Sequence, residues 1–221
     1  MKQNKLLWLS LGLVFVIVLG AGLAAGSQNR QETMQALESA IQAEADLRRI
    51  SVVPLDALAQ QPEQTRYTEA AIRQAIRQET PPDYPRQYAT GLGVRYQQMY
   101  QDKQKNLDLS ALDVDSGITD VQLLRSTKLS DNQRRIRFSF VGWLTTIHHT
   151  GGLRQVRVIY SKQTITARMK LEDGVWKILK TEEHLQEFAP DGYEYSKGYF
   201  RTMDEAAAFV RSMDMEAENP F

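Results

Sequence analysis

Residues 133–148 constrain this chain most. Ile136, Phe138, Phe140 and Leu144 alternate there with Arg135, Arg137, Ser139 and Thr145. A period of two is the side-chain repeat of a strand with one face buried and one face in water. Turn chemistry brackets the segment: Ser130-Asp131-Asn132 before it, Thr150-Gly151-Gly152 after it, and Asp173-Gly174 further on. Strands are therefore expected over residues 118–129, 133–148, 153–172 and 175–181, joined as a four-stranded antiparallel meander. Gly142 in mid-strand suggests a bulge or bend. Along residues 153–172 the apolar positions are even at Val156, Val158 and Tyr160, then odd at Ile165, Ala167, Met169 and Leu171. A period of two cannot change parity without an extra residue, so a bulge is expected within residues 161–164. The inward face then comprises Ile136, Phe138, Phe140, Leu144, Val156, Val158, Tyr160, Ala167 and Met169.

Helical periodicity precedes the strands. Residues 28–50 carry Met34, Leu37, Ile41 and Leu47 on a thin stripe, which packs against neighbouring chains or against the domain itself. Val53-Pro54 ends this helix, because the residue before proline avoids the helical region. Residues 55–63 read as loop. Residues 65–78 form a second helix, with Ala71, Ile72, Ala75 and Ile76 on its apolar face. After the prolines at 81, 82 and 85, residues 86–105 read as a third helix with Tyr88, Leu92, Tyr96 and Met99 at helical spacing. Beyond Pro190 lie Tyr193, Tyr195, Tyr199 and Phe200, then a short helix opening on the capping box Thr202-Met203-Asp204-Glu205. The fold class is α+β: helices on a curved four-stranded antiparallel sheet, cone-like in form, with a short C-terminal helix.

Residues 6–25 form an uncharged apolar run of 20 residues. At ~1.5 Å per residue a helix of that length spans ~30 Å, the hydrocarbon thickness of a bilayer. Its Leu, Ile, Val and Phe residues contribute about −5 kcal/mol to insertion. Lys2 and Lys5 precede the run, which puts the N-terminus in the cytoplasm and the rest of the chain outside. A cleaved signal peptide is the alternative, with small-residue sites at Gly22-Leu23-Ala24 and Ala24-Ala25-Gly26, but a signal core is usually shorter, ~7–15 residues. The expected organisation is a cytoplasmic N-terminus at 1–5, a transmembrane helix at 6–25, a juxtamembrane helix and linker at 26–64, the α+β domain at 65–189, and a C-terminal aromatic segment and helix at 190–221.

Composition removes several function classes. Lys+Arg and Asp+Glu both number 27, so bulk charge gives no reason to expect nucleic acid as a partner. The chain has no cysteine. A disulfide framework, a cysteine-ligated metal and a thiol nucleophile are thereby excluded.

The long bent strands, the hairpin carrying Leu171-Glu172-Asp173-Gly174-Val175-Trp176-Lys177-Ile178, and the helices of residues 65–105 resemble the nuclear transport factor 2-like superfamily. The resemblance covers roughly residues 65–183 and implies a cone-shaped fold. That superfamily includes isomerases, dehydratases, ligand binders and scaffolds, so the fold does not choose among them. With a single N-terminal membrane helix, the chain resembles the inner-membrane scaffold subunits of type IV secretion and conjugation machines. It also resembles the membrane-anchored domain of cyanobacterial and plastid division proteins. Both resemblances imply a protein-binding role without catalysis; the expected location is the bacterial inner membrane, single-pass, with the C-terminal domain outside the cytoplasm. The C-terminal helix has no place in the minimal family pattern.

Candidate chemistry is sparse. In enzymes of this fold the interior supplies an acid or base, and none of the inward strand positions is Asp, Glu or His; only a helix could supply one. Tyr88, Tyr96, Phe138, Phe140 and Tyr160 are the candidate pocket residues. His148 and His149 are adjacent on a strand and point to opposite faces, so they do not easily share a metal. No catalytic residue, cofactor or metal site is expected. Arg134, Arg135, Arg137, Arg154 and Arg157 fall on paired strands, either as a solvated outer face or as a docking patch for acidic partners or lipid headgroups. Arg135, Arg137, Arg157, Tyr195, Tyr199 and Phe209 are the candidate partner surface. The expected function is a non-enzymatic extracytoplasmic scaffold or accessory subunit of an envelope complex, contacting the membrane, other subunits and itself. The alternative is a ligand-binding or isomerase- or dehydratase-like enzyme that uses the interior.

Overall fold

The computed structural model describes residues 27–62, 64–78, 82–89, 91–188 and 197–213. The apolar run at 6–25 lies outside these residues, as do Tyr193 and Tyr195. Among the described residues no helix is long and apolar enough to cross a membrane.

The architecture is α+β. Strands β1 (Ala111–Ser130), β2 (Gln133–Thr150), β3 (Leu153–Glu172) and β4 (Val175–Phe188) form the antiparallel meander in the order β1-β2-β3-β4. A fifth strand, β5 (Lys197–Phe200), pairs with residues 154–157 of β3, on the edge that β4 leaves after Phe188. The hairpin turns use left-handed backbone at Gly151, Gly152, Asp173 and Gly174, which matches the twist of the flanking strands.

β1 starts at Ala111, ahead of residue 118. Polar residues hide its beginning: Asp113 accepts hydrogen bonds from Ser51 at 2.6 Å and from Thr146 at 3.1 Å. β4 likewise runs past Thr181 to Phe188.

The β2–β3 register runs unbroken from Gln133↔Lys170 to Thr150↔Leu153. That ladder has no bulge at Gly142 and none within residues 161–164. The irregularity opposite Lys162 and Gln163 belongs to β4, which inserts Gln186 there. The parity change has a different cause: the two ends of the sheet bury opposite faces. At one end Ile136, Phe138 and Phe140 share a face with Ile165, Ala167 and Met169, all at 1% exposure or less. At the other end Val156, Val158 and Tyr160 lie on the reverse face, beside Ile147 and Trp143. They are therefore not part of one inward face with Phe138 and Phe140.

Helix α1 (Ser27–Arg48) covers the first face. Ala36, Ala40 and Ala43 widen the stripe of Leu37 and Ile41, and all five are at 2% exposure or less. Small residues let the helix sit close, so its apolar side is spent inside the molecule. The packed core thus includes residues ahead of 65, because the sheet buries this face against α1.

Residues 55–63, read as loop, contain a short helix, α2 (Leu55–Ala59). Helix α3 (Glu69–Gln78) buries Ala71, Ile72, Ala75 and Ile76 as its spacing requires. The expected helix at 86–105 is two pieces, α4 (Tyr84–Gln87) and α5 (Gly91–Lys105). Between them Tyr88 turns extended and bridges Ile178 of β4, and Ala89 N–H donates to the Ile178 carbonyl at 2.8 Å. Helix α6 (Met203–Ser212) has its capping box and buries Ala206, Ala207 and Val210 with α2 and α3. Asp204 ties it down, accepting from Arg66 at 2.6 Å and from Tyr67 Oη at 2.9 Å.

Candidate functional site

The face beneath α1 carries the most unusual chemistry. Leu37 and Ile41 continue at helical spacing to Glu44 and Arg48, so the stripe that packs on the sheet ends in two charges. Glu44 is 6% exposed. Burial pushes its carboxyl up to about 7; Arg48, one turn on, opposes that rise, and Glu183 on β4 adds to it. Arg48 lies over the Phe140 ring, 4.8 Å from its centroid, and its Nη2 donates to Gln163 Oε1. Burial pulls the guanidinium below its ordinary value, against the pull of Glu44 and Glu183. Gly142 makes this seat: a Cβ there would fall 2.8 Å from Arg48 Nη1. Its role here is close approach of a side chain.

Two tyrosines complete the surroundings. Tyr88 is buried and donates to the Ala43 carbonyl at 3.2 Å. Its ring lies 4.7 Å from that of Tyr96. Burial, then the charge of Glu44, pushes both phenols up. A buried carboxyl near neutrality beside a guanidinium and two phenols can exchange a proton near pH 7.

Of the candidate pocket residues, Tyr88, Tyr96, Phe138 and Phe140 come together here, packed with Leu37 and Ile41. Tyr160 does not; it is on the reverse face with Val141, Trp143 and Val158. A cleft of about 310 Å³ opens elsewhere, lined by Asp46, Arg49, Tyr100 and Asp115 among others, and none of the five lines it. Glu44 and Arg48 were not singled out from the sequence. Their signal was present: two charged residues continue the register of Leu37 and Ile41.

The arginines separate. Arg134 points under α1 and is 2% exposed. Its Nη1 donates to Thr33 at 2.7 Å, and its Nη2 to Asn29 at 2.7 Å and to Glu32 at 2.9 Å. Arg135 and Arg137 are exposed on the reverse face. Arg157 pairs with Thr146, near the opposite end of the strands and on the other face from Arg135. Tyr199 is 54% exposed and accepts from Gln155 at 3.3 Å. Phe209 packs on Phe200, ring centroids 5.0 Å apart. Among the described residues, the candidate partner residues therefore form no single patch. His148 and His149 close β2, and among the described residues no three His, Asp or Glu side chains gather in a metal-binding group.

Comparison with protein-family models, with curated proteins and with solved structures gives no match. The class defined by the fold is an α+β domain with a helix laid along a five-stranded antiparallel sheet.

Proposed function

We propose that this chain is a non-enzymatic, membrane-anchored scaffold or accessory subunit of a bacterial envelope complex, its cone-like domain held outside the cytoplasm. The observation that carries this reading is the occupation of the sheet's buried face by α1. Tyr88, Phe138 and Phe140, where a cone would hold a ligand, instead share one packed core with Leu37 and Ile41. Binding is thereby left to outer surfaces. One is the C-terminal side with Tyr199; another is α5, where Val94 and Met99 are 64% and 40% exposed. The test is affinity purification from native membranes in gentle detergents, with quantitative mass spectrometry. A stoichiometric partner that is lost on Val94→Glu or Tyr199→Ala is expected. Recovery of the chain alone in every detergent overturns the reading.

Glu44 favours a second reading, in which the interior binds a small ligand or does proton transfer. Native mass spectrometry of the purified chain tests it. A bound small molecule that disappears in Glu44→Gln would displace the scaffold reading.

A further inference from the structure

The register brings together cations that lie far apart in sequence. Arg135 of β2 stands directly opposite Arg168 of β3, and Arg168 directly opposite Lys180 of β4. In the next row of the same face, Arg125 of β1 stands opposite Arg137 of β2. All five are exposed. Partners directly opposite on an antiparallel pair share a face, with Cβ atoms ~5 Å apart, and like charges placed so are destabilising. The local acid is Glu182, which pairs with Lys180 at 3.0 Å. Arg168 spends its donors on neutral Gln133. Among the described residues no carboxylate forms an ion pair with Arg125, Arg135 or Arg137. Glu182 also attracts Arg135, so five cations stand against one acid, and the face carries a cationic ladder with net positive charge.

Its position in the fold says what it meets. Helix α1 runs along β2: Glu32 sits at Arg134, and Arg48 sits over Gly142. The sixteen residues from 32 to 48 rise ~24 Å in a helix, and the eight from 134 to 142 rise ~26 Å in a strand. The N-terminus of α1 therefore lies at the end of the sheet that holds the Ser130–Gln133 and Glu172–Val175 turns. The ladder lies toward that same end. The apolar run 6–25 ends two residues before Ser27, so a bilayer holding that run meets this end of the sheet first.

We propose that the ladder Arg125, Arg135, Arg137, Arg168 and Lys180 binds the anionic headgroups of the membrane in which residues 6–25 sit. The inference rests on the membrane-anchored reading above. Basic residues next to an anionic leaflet are attracted to it, and the attraction falls off within a Debye length of ~8 Å at physiological salt. Contact at the ladder would tilt the hairpin end of this face onto the surface and turn the α1 face away from it.

The chain has no cysteine, so Asp131→Cys gives one labelling site at the hairpin tip. The labelled full chain is reconstituted in phosphatidylcholine vesicles that carry an acceptor lipid, with or without phosphatidylglycerol at ~30 mol%. Energy transfer is expected to rise at least twofold on the anionic vesicles. It is expected to return to the neutral value in high salt, and also in the triple variant Arg135→Glu, Arg168→Glu, Lys180→Glu, with circular dichroism confirming that the variant is folded. Equal transfer on both vesicles, or an unchanged triple variant, overturns the proposal and leaves the ladder to an acidic protein. Alkaline flotation on neutral vesicles tests the anchor separately. If the chain leaves neutral vesicles yet binds phosphatidylglycerol through the ladder, the anchored reading fails and the headgroup site stands.

Discussion

Arg134 on β2 donates from Nη2 to Glu32 on α1 across 2.9 Å, joining residues 102 positions apart. The same guanidinium holds Asn29, Thr33 and Ser126. Such a fork links the start of α1 to both strands of the first hairpin. Removing one partner of a buried charged network leaves the others unpaired, at a cost of about 3 kcal/mol. Arg134→Ala is expected to lower stability by that order; Arg134→Lys loses less because the charge facing Glu32 is kept, but still loses some because an ammonium cannot span the same acceptors. Urea unfolding of the detergent-solubilised chain measures both. A loss under about 1 kcal/mol for the alanine variant would show that the clamp does not hold α1.

Trp143 and Gly117 are register partners on β2 and β1, and the indole lies over the glycine. A Cβ on Gly117 would meet Cζ2 of the ring at 2.2 Å. The ring is 8% exposed, and its Nε1 donates to Asp115 at 3.2 Å, so it has little room to withdraw. Gly117→Val is expected to cost about 2–3 kcal/mol by overpacking. In a Trp143→Leu background the cost of the same change should fall by at least ~1 kcal/mol, since contacting sites couple. Additive losses in a double-mutant cycle by thermal unfolding would refute the contact.

Local features were legible in the sequence; those set by tertiary register were not. The alternation through Ile136, Phe138 and Phe140, the Asp173-Gly174 turn and the Thr202 capping box each depend on neighbours a few residues away. The faces of Val156, Val158 and Tyr160 depend on which layer covers each end of the sheet. That is why a real parity change was misread as a bulge. The ladder needed Arg168 and Lys180 to be paired with Arg135 across three strands, which no local pattern encodes. Glu44 is intermediate: its spacing from Ile41 put it on the buried stripe, but its charge argued the other way. Tyr88 left the expected helix because pairing with Ile178 outweighed helical spacing.

The capping box offers a test of local stability. Thr202 Oγ1 accepts from Glu205 N–H at 3.2 Å, and Glu205 Oε2 accepts from Thr202 N–H at 3.1 Å. Thr202→Ala leaves one helix N–H unsatisfied, at a cost of about 1 kcal/mol. Because α6 packs through Ala206, Ala207 and Val210, the loss should appear as faster hydrogen exchange in α6, with α1 unchanged. Uniform acceleration across the chain would mean that α6 and the sheet unfold as one unit.

Glu44 makes the pH dependence of folding a further test. Its carboxyl rises from 4.5 to about 7 in the folded chain, burial first among the causes. The folded state therefore holds the proton more tightly than the unfolded state. Its contribution to stability is fully present below about pH 4.5 and is lost as pH rises through 7. At about 1.4 kcal/mol per pH unit, the loss is of order 3 kcal/mol, with the attraction of Arg48 already contained in the value of about 7. Glu44→Gln keeps the shape and removes the titration. The variant should match the parent chain at pH 4 and exceed it at pH 8 by about 1–3 kcal/mol. Urea midpoints across that range decide the matter. A variant no more stable than the parent at pH 8 would mean that the Glu44–Arg48 pair repays its own desolvation.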